Sequence, residues 1–330
     1  MSSRFIYLIL SGCLLLACCS KPQATKETGL QKKAAIAVPL FNADSAYQYT
    51  LQQTLFGPRV PNTPAHVACG DYFVAQLNRY GAQVTEQKVD LQNYAGLTLK
   101  CRNIIASFQP ENNNRVLVCA HWDTRPYADQ DKNPDNWRKP IDGANDGASG
   151  CGVLLELARQ IQLQQTRVGV DLIFFDAEDW GIPAFERLAY AESGYYLGSE
   201  YWAKHPHVQN YTAKYGILLD MVGAPEAVFY KEYHSVKYAS QVVNKIWETA
   251  QALGYGNYFI AKAGGSIEDD HLPIIWYLHI PCIDIVHYDP NSTGFGAYWH
   301  TLDDTMDNVS KETLQAVGQT VLHTIYKEDT

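Results

Sequence analysis

Four short apolar runs punctuate the chain: RVLVCA at 115–120, VDLIFF at 170–175, YGILL at 215–219 and IPCIDIV at 280–286. Runs of this length bounded by turn residues predict strands buried on both faces. Between and around them the apolar spacing changes to three and four residues. That spacing predicts helices over 43–56 and over 66–80, where Phe73, Leu77 and Tyr80 share a side. It predicts another over 150–164, with Val153, Leu154, Leu157, Ala158 and Ile161 on one face. Two more follow over 235–253 and 310–326, the last carrying Leu314, Val317, Val321 and Ile325. The Pro-rich FGPRVPNTP separates the first two helices, and Gly81 fits a helix stop. Strands alternating with helices of this length imply an α/β fold, a mostly parallel central sheet flanked by helices on both faces. One domain over 41–330 accommodates all of it.

The N-terminus follows a different pattern. Arg4 precedes the short apolar run FIYLILSGCLLLA, and Leu15-Leu16-Ala17-Cys18 resembles a bacterial lipobox. The expectation is a lipoprotein signal peptide over 1–18, lipidation at Cys18 and a flexible polar tether over 19–40. The chain is then exported, periplasmic and held at a membrane by its lipid rather than by a span. A hydrophobic content of 46% supports a sizeable core, and a net charge of −9 with no basic stripe argues against nucleic acid as a partner. A monomer is the default expectation. Cys69, Cys101, Cys119, Cys151 and Cys282 sit in apolar contexts without C-x-x-C spacing, so they read as buried free thiols.

Chemistry gathers where the apolar runs end. The first leads into His121 and Asp123, the second into Asp176, Glu178 and Asp179, the third into Asp220, the fourth into His287 and Asp289. Ligands of open α/β sheets bind beyond the carboxyl ends of the strands, so several polar ends at one pole suggest a convergent site. Carboxylates as close as those of FFDAEDWG repel unless a cation or proton is shared among them. Asp146 in the Gly-rich DGANDGASG, just before a helix, and His300 in AYWHTLDDT are further candidates. Capping is the plain role for Asp146, with backbone N–H groups holding its carboxylate. Histidines and carboxylates without cysteine point to zinc held through nitrogen and oxygen.

HWD, GANDGAS, FFDAEDWG, LLDMVGA, IEDDH and WHTLDD occur in the order found in zinc aminopeptidases of the M28 type and the related glutaminyl cyclases, and the chain resembles that family from about residue 51 onward. The resemblance implies that Asp146, Asp179 and His300 hold zinc and that Glu178 is the general base. In two-metal members His121 and Asp220 hold a second ion, with Asp123 orienting His121. Asp269-Asp270-His271 stands where the peptidases usually carry Ser-Asp-His, and Trp299 directly precedes the metal histidine. Both features resemble the cyclases, which work with one zinc. The implied activity is therefore cyclisation of N-terminal glutamine to pyroglutamate with release of ammonia, on peptides or proteins, with a two-zinc aminopeptidase as the alternative. Asp269 is expected to steer the proton, and Asp220, Trp299, Trp202 and Trp180 to contact substrate, with Tyr195 a further candidate wall. Animal cyclases carry Glu-Glu at Glu178-Asp179, and the long loop over 127–141 also looks bacterial.

Plainer readings compete. Asp269-Asp270 reads alone as an exposed charge pair, and Trp299 as core packing. A non-catalytic binding module would have lost ligands, and here none is missing. His66, His205, His207, His234 and His323 read as surface residues. The run Asp129-x-Asp131-x-Asn133-x-Asp135 is spaced like a calcium loop but lacks its turn glycine and terminal glutamate.

Overall fold

Helix α1 (Ala43–Thr54) starts at Asn42, whose side chain accepts the Ser45 N–H; α2 (Pro64–Arg79) starts at Thr63 with proline in its first turn. A hairpin follows, β1 (Gln83–Gln92) and β2 (Thr98–Phe108), and then β3 (Arg115–His121), α3 (Ala148–Leu163) and β4 (Gly169–Phe175). The second half runs α4 (Leu197–Lys204), β5 (Gly216–Asp220), β6 (Phe229–Lys231), α5 (Tyr233–Ala252), β7 (Phe259–Ala263), α6 (His271–Leu278) and β8 (Cys282–Val286). The short pair β9 (Tyr288–Asp289) and β10 (Gly294–Phe295) precedes α7 (Lys311–Lys327). This computed structural model describes residues 36–186, 194–290 and 294–328. Cys18, the leader and most of the expected tether lie outside the described residues. Residues 36–40 already lie against the domain: Gln164, Gln160 and Gln319 donate to the carbonyls of Ala37, Leu40 and Pro39.

The main sheet has the order β1-β2-β4-β3-β5-β8. Pairings β3/β4, β3/β5 and β5/β8 are parallel, whereas β1/β2 and β2/β4 are antiparallel. The mostly parallel sheet is therefore present with an antiparallel flank, and β1 is one of its edges. Side-chain alternation divides the core. Val116, Val118, Leu172, Phe174, Ile217 and Leu219 pack towards α2, α3, α5 and α7. Leu117, Cys119, Ile173, Phe175 and Leu218 pack on the other face against residues of α4 and α6.

Each of the four anticipated strands and five anticipated helices is present, with ends shifted by a few residues. The sequence did not announce β1 and β2, because β1 (QVTEQKVDLQ) alternates without a buried face and Arg102-Asn103 interrupts β2. Helices α4 and α6 span eight residues each, too short for helical periodicity to register. Two residue assignments change. Trp202 is fully buried against Phe175 and Tyr211, with its indole N–H bonded to His207, so it is core and lines no substrate wall. His66 is buried rather than superficial: it stacks on Trp122 with ring centroids 4.2 Å apart and lies 2.8 Å from Asp176. The five described cysteines are buried and free, as expected.

One glycine places the site. A Cβ on Gly150 would lie 2.3 Å from the carbonyl oxygen of Leu219. Only glycine lets the first turn of α3 approach the end of β5 this closely, and that approach brings Asp146 next to Asp220.

Candidate metal centre and catalytic carboxylates

The parallel strands deliver their last residues to one pole. At the end of β3, His121 Nε2 lies 3.0 Å from Asp146 Oδ1 and 3.2 Å from Asp220 Oδ1, at the end of β5. Asp123 stands 3.7 Å from His121 Nδ1 and has a second task. Its two oxygens accept the backbone N–H groups of Glu178 and Asp179 at 3.0 and 3.2 Å, fixing the acid pair beyond β4. The first acid of FFDAEDWG plays no part there. Asp176 accepts from Arg102 N–H at 2.6 Å and pairs with His66, so it staples β4 to its neighbours.

Asp146 does not act as a cap. Gly147 occupies the cap of α3 without a side-chain bond, and the turn is held instead by Asp304, which accepts the Asn145 and Asp146 N–H groups at 2.8 and 3.0 Å. The Asp146 carboxylate is thereby left to face the two histidines. His300 closes the ring, with Nε2 3.3 Å from Asp179 Oδ1 and 3.6 Å from Asp146 Oδ2. Its backbone is left-handed, φ +52°. Trp299 is half-buried and stacks on the His300 ring at 3.9 Å and 25°.

Two ligand trios emerge, His121/Asp146/Asp220 and Asp146/Asp179/His300, all buried and sharing Asp146. A tetrahedral zinc with bonds of about 2.0–2.1 Å has ligand–ligand edges of about 3.3–3.4 Å. The second trio, at 3.3 and 3.6 Å, matches that spacing, and Asp179 Oδ2 is buried with no hydrogen-bond partner among the described residues. In the first trio the separations are 3.0 and 3.2 Å, a little shorter than those edges. The residues fit a divalent cation, most openly at Asp146, Asp179 and His300.

The electrostatics agree. Burial pushes Glu178 well above the usual carboxylate range; His121 pulls it down, but Asp179, Asp269 and Asp270 push it up again. Burial also raises Asp269 well above its ordinary value, with Asp220 and Asp270 adding to it, and carries Asp270 up to about 7. Both are buried, so the exposed-pair reading of Asp269-Asp270 fails. Burial opposes a charged His121, yet bonds to Asp123, Asp146 and Asp220 outweigh it and hold its pKa well above normal. Trp180 is buried edge-on to Tyr127, its indole N–H without a partner among the described residues.

Three residues escaped sequence reasoning. Arg125 is fully buried, forks onto Asp129 and reaches Asp179 at 3.2 Å; Asp129 in turn lies 3.4 Å from His300 Nδ1. Asp304 is the third. The signals were a cation four residues before an aspartate in HWDTRPYAD, the calcium-like spacing that begins at Asp129, and the second acid of WHTLDD.

Residues 103–325 match the family model described as Peptidase family M28. Among solved structures, the glutaminyl cyclase of Tannerella forsythia is 56% identical with a TM-score of 0.86, covering 88% of this chain and 100% of that one. A Zn-dependent exopeptidase from Parabacteroides distasonis is also 56% identical, with a TM-score of 0.87 and coverage of 88% and 100%. Aminopeptidase YwaD of Bacillus subtilis is 27% identical over 259 residues, 75% of this chain and 49% of that protein, so the chain spans about half the length of this relative.

Proposed function

Because the chain belongs to peptidase family M28, whose zinc chemistry fits the ligand trios, we propose that it is a glutaminyl-peptide cyclotransferase. It would convert N-terminal glutamine of peptides or proteins to pyroglutamate and ammonia. The observation that carries this reading is the likeness to the Tannerella forsythia cyclase over that chain's whole length. One zinc per chain, held by Asp146, Asp179 and His300, would supply polarisation of the substrate's side-chain carbonyl.

The remaining work falls to the protein. The α-amine of glutamine attacks its own γ-carbonyl carbon, a new C–N bond forms, and the bond to the amide nitrogen breaks. One proton moves from the α-amine to the departing nitrogen, giving ammonia. Glu178 is the carrier: a buried carboxylate with an elevated pKa can accept the proton and return it. Asp269, buried beside the same cluster, steers the leaving group, with Asp220 next to it. Nucleophile and electrophile share one molecule, so the pocket chiefly holds a bent conformer against Trp299, with the Trp180 N–H as a donor.

The lipobox at 15–18 supports a lipid on Cys18 and an exported, membrane-anchored enzyme acting on periplasmic N-termini. The two trios sharing Asp146 favour a second reading, a two-zinc aminopeptidase in which Glu178 activates water. Incubation with a Gln-initiated and a Leu-initiated peptide separates them. Ammonia from the first with neither peptide cleaved is expected; release of free leucine would replace cyclase by peptidase.

A further inference from the structure

The segment 125–131 touches both distal metal-ligand candidates, from several directions at once. The Arg125 guanidinium places Nε and Nη2 each 2.8 Å from the two oxygens of Asp129. Its remaining arm, Nη1, reaches Asp179 Oδ1 at 3.2 Å and the carbonyls of Asp179 and Gly181 at 3.3 and 3.4 Å. Asp129 Oδ1 faces His300 Nδ1 at 3.4 Å, while Oδ2 accepts the Ala184 N–H at 2.7 Å. The next two residues take hold of the same turn through its backbone. Gln130 N–H donates to the His300 carbonyl at 3.1 Å, and Asp131 Oδ2 accepts the Leu302 N–H at 3.2 Å.

We infer that 125–131 is a clamp that sets the orientation of His300 and Asp179 and thereby the affinity of the centre for zinc. Arg125, Asp129 and Asp131 are positioning residues in it. A histidine at φ +52° sits in the left-handed region that side chains disfavour, and such a turn persists only where its surroundings over-determine it. The clamp does so at the carbonyl of His300, at the N–H two residues on and at the ring. The Asp129 carboxylate, 3.4 Å from Nδ1 and outside hydrogen-bond geometry, places negative charge beside that nitrogen, which favours a proton there and leaves Nε2, the atom 3.3 Å from Asp179, to face a metal. Arg125 couples the two ligands, since its fork fixes Asp129 while its third arm fixes Asp179. A loop staple with no bearing on the metal would need none of these contacts to converge on two ligands from distant parts of the chain.

The inference rests on the assignment of Asp146, Asp179 and His300 as zinc ligands, and its test uses affinity rather than turnover. Zinc dissociation constants are measured by chelator competition on the full chain and on Asp129→Asn, Arg125→Lys and Asp131→Asn. The visible spectra of the cobalt-loaded forms are recorded alongside. Asp129→Asn and Arg125→Lys are expected to bind zinc about 10–100-fold more weakly, with altered cobalt bands. Asp131→Asn, which alters the grip on Leu302 and the contacts with Asn133 and Asn136 but touches neither ligand side chain, is expected to weaken binding by a smaller factor. Folded Asp129→Asn and Arg125→Lys proteins that bind within threefold of the parent with unchanged cobalt spectra would overturn the clamp. Should either fail to fold, the folded variants decide by the same criterion, and Asp131→Asn with parental affinity and spectrum then overturns it. A parent that binds zinc yet cyclises nothing would remove the proposed activity and leave the clamp standing.

Discussion

Glu178 and Asp269 are the side chains on which the proposed proton path stands. Glu178→Gln keeps the shape and removes the basic site, so turnover of a Gln-initiated peptide is expected to fall by about 10²–10⁴-fold with zinc content unchanged, read by ammonia release and metal analysis. Retained activity would take the base role away from this residue. For Asp269→Ala the expected loss in kcat is of similar order, whereas a change of only a few-fold would mark Asp269 as packing. At this scale the sequence disclosed what stands at strand ends. His121, Glu178, Asp179 and Asp220 were legible because an apolar run that stops at an acid or imidazole has few structural explanations, whereas Asp146 and His300 were singled out as ligands by the resemblance of GANDGAS and WHTLDD to the M28 family. Arg125, Asp129 and Asp304 were not, since a buried ion pair and a surface ion pair are spelled alike. Only the fold shows that Arg125 has no solvent to face. Trp202 failed in the opposite direction, because an aromatic near a site in sequence can turn from its helix onto the face of the sheet and become core.

Between α3 and β5, packing and site geometry are the same fact. Gly150→Ala in an exposed helix would stabilise by about 1 kcal/mol through propensity. Here the new methyl would meet a backbone carbonyl at 2.3 Å, which cannot swing aside as a side chain can. Steric displacement wins, and overpacking of this kind costs about 1–3 kcal/mol. Denaturant titration of the variant is expected to show that loss together with weaker zinc binding, because α3 carries Asp146 away from its partners as it shifts. Parental stability would mean that the helix slides freely on β5. Elements with long one-sided patterns, α3, α5 and α7, could be read directly from their spacing. The β1/β2 hairpin could not, because its pairing, not its side chains, makes it a strand pair.

Acid should loosen the whole molecule. His287 is half-buried, and desolvation depresses its pKa to about 4 from 6.5, so the unfolded chain takes up a proton before the native one and stability falls from pH 6.5 towards 4. Glu232 is buried, which opposes ionisation. His271 and the N–H groups of His234 and Ser235 overcome this and lower its pKa from 4.5 to about 2. A carboxylate depressed in this way contributes fully above pH 4.5 and loses that contribution as pH falls towards 2. The sum is expected to reach a few kcal/mol between pH 7 and 3, measured by urea denaturation on metal-free protein. A flat profile would show that neither group is held as described. At this scale the fold class was clear from alternating strands and helices, while the antiparallel flank that makes β1 an edge was not. That edge has a consequence for the protein in concentrated solution. A ten-residue border strand is a template on which a second copy could extend the sheet. Meeting head to tail about Lys88, two such borders would set lysine against lysine and Glu86 against Asp90, so every exposed charge along the seam would confront its own sign and the copies would be driven apart.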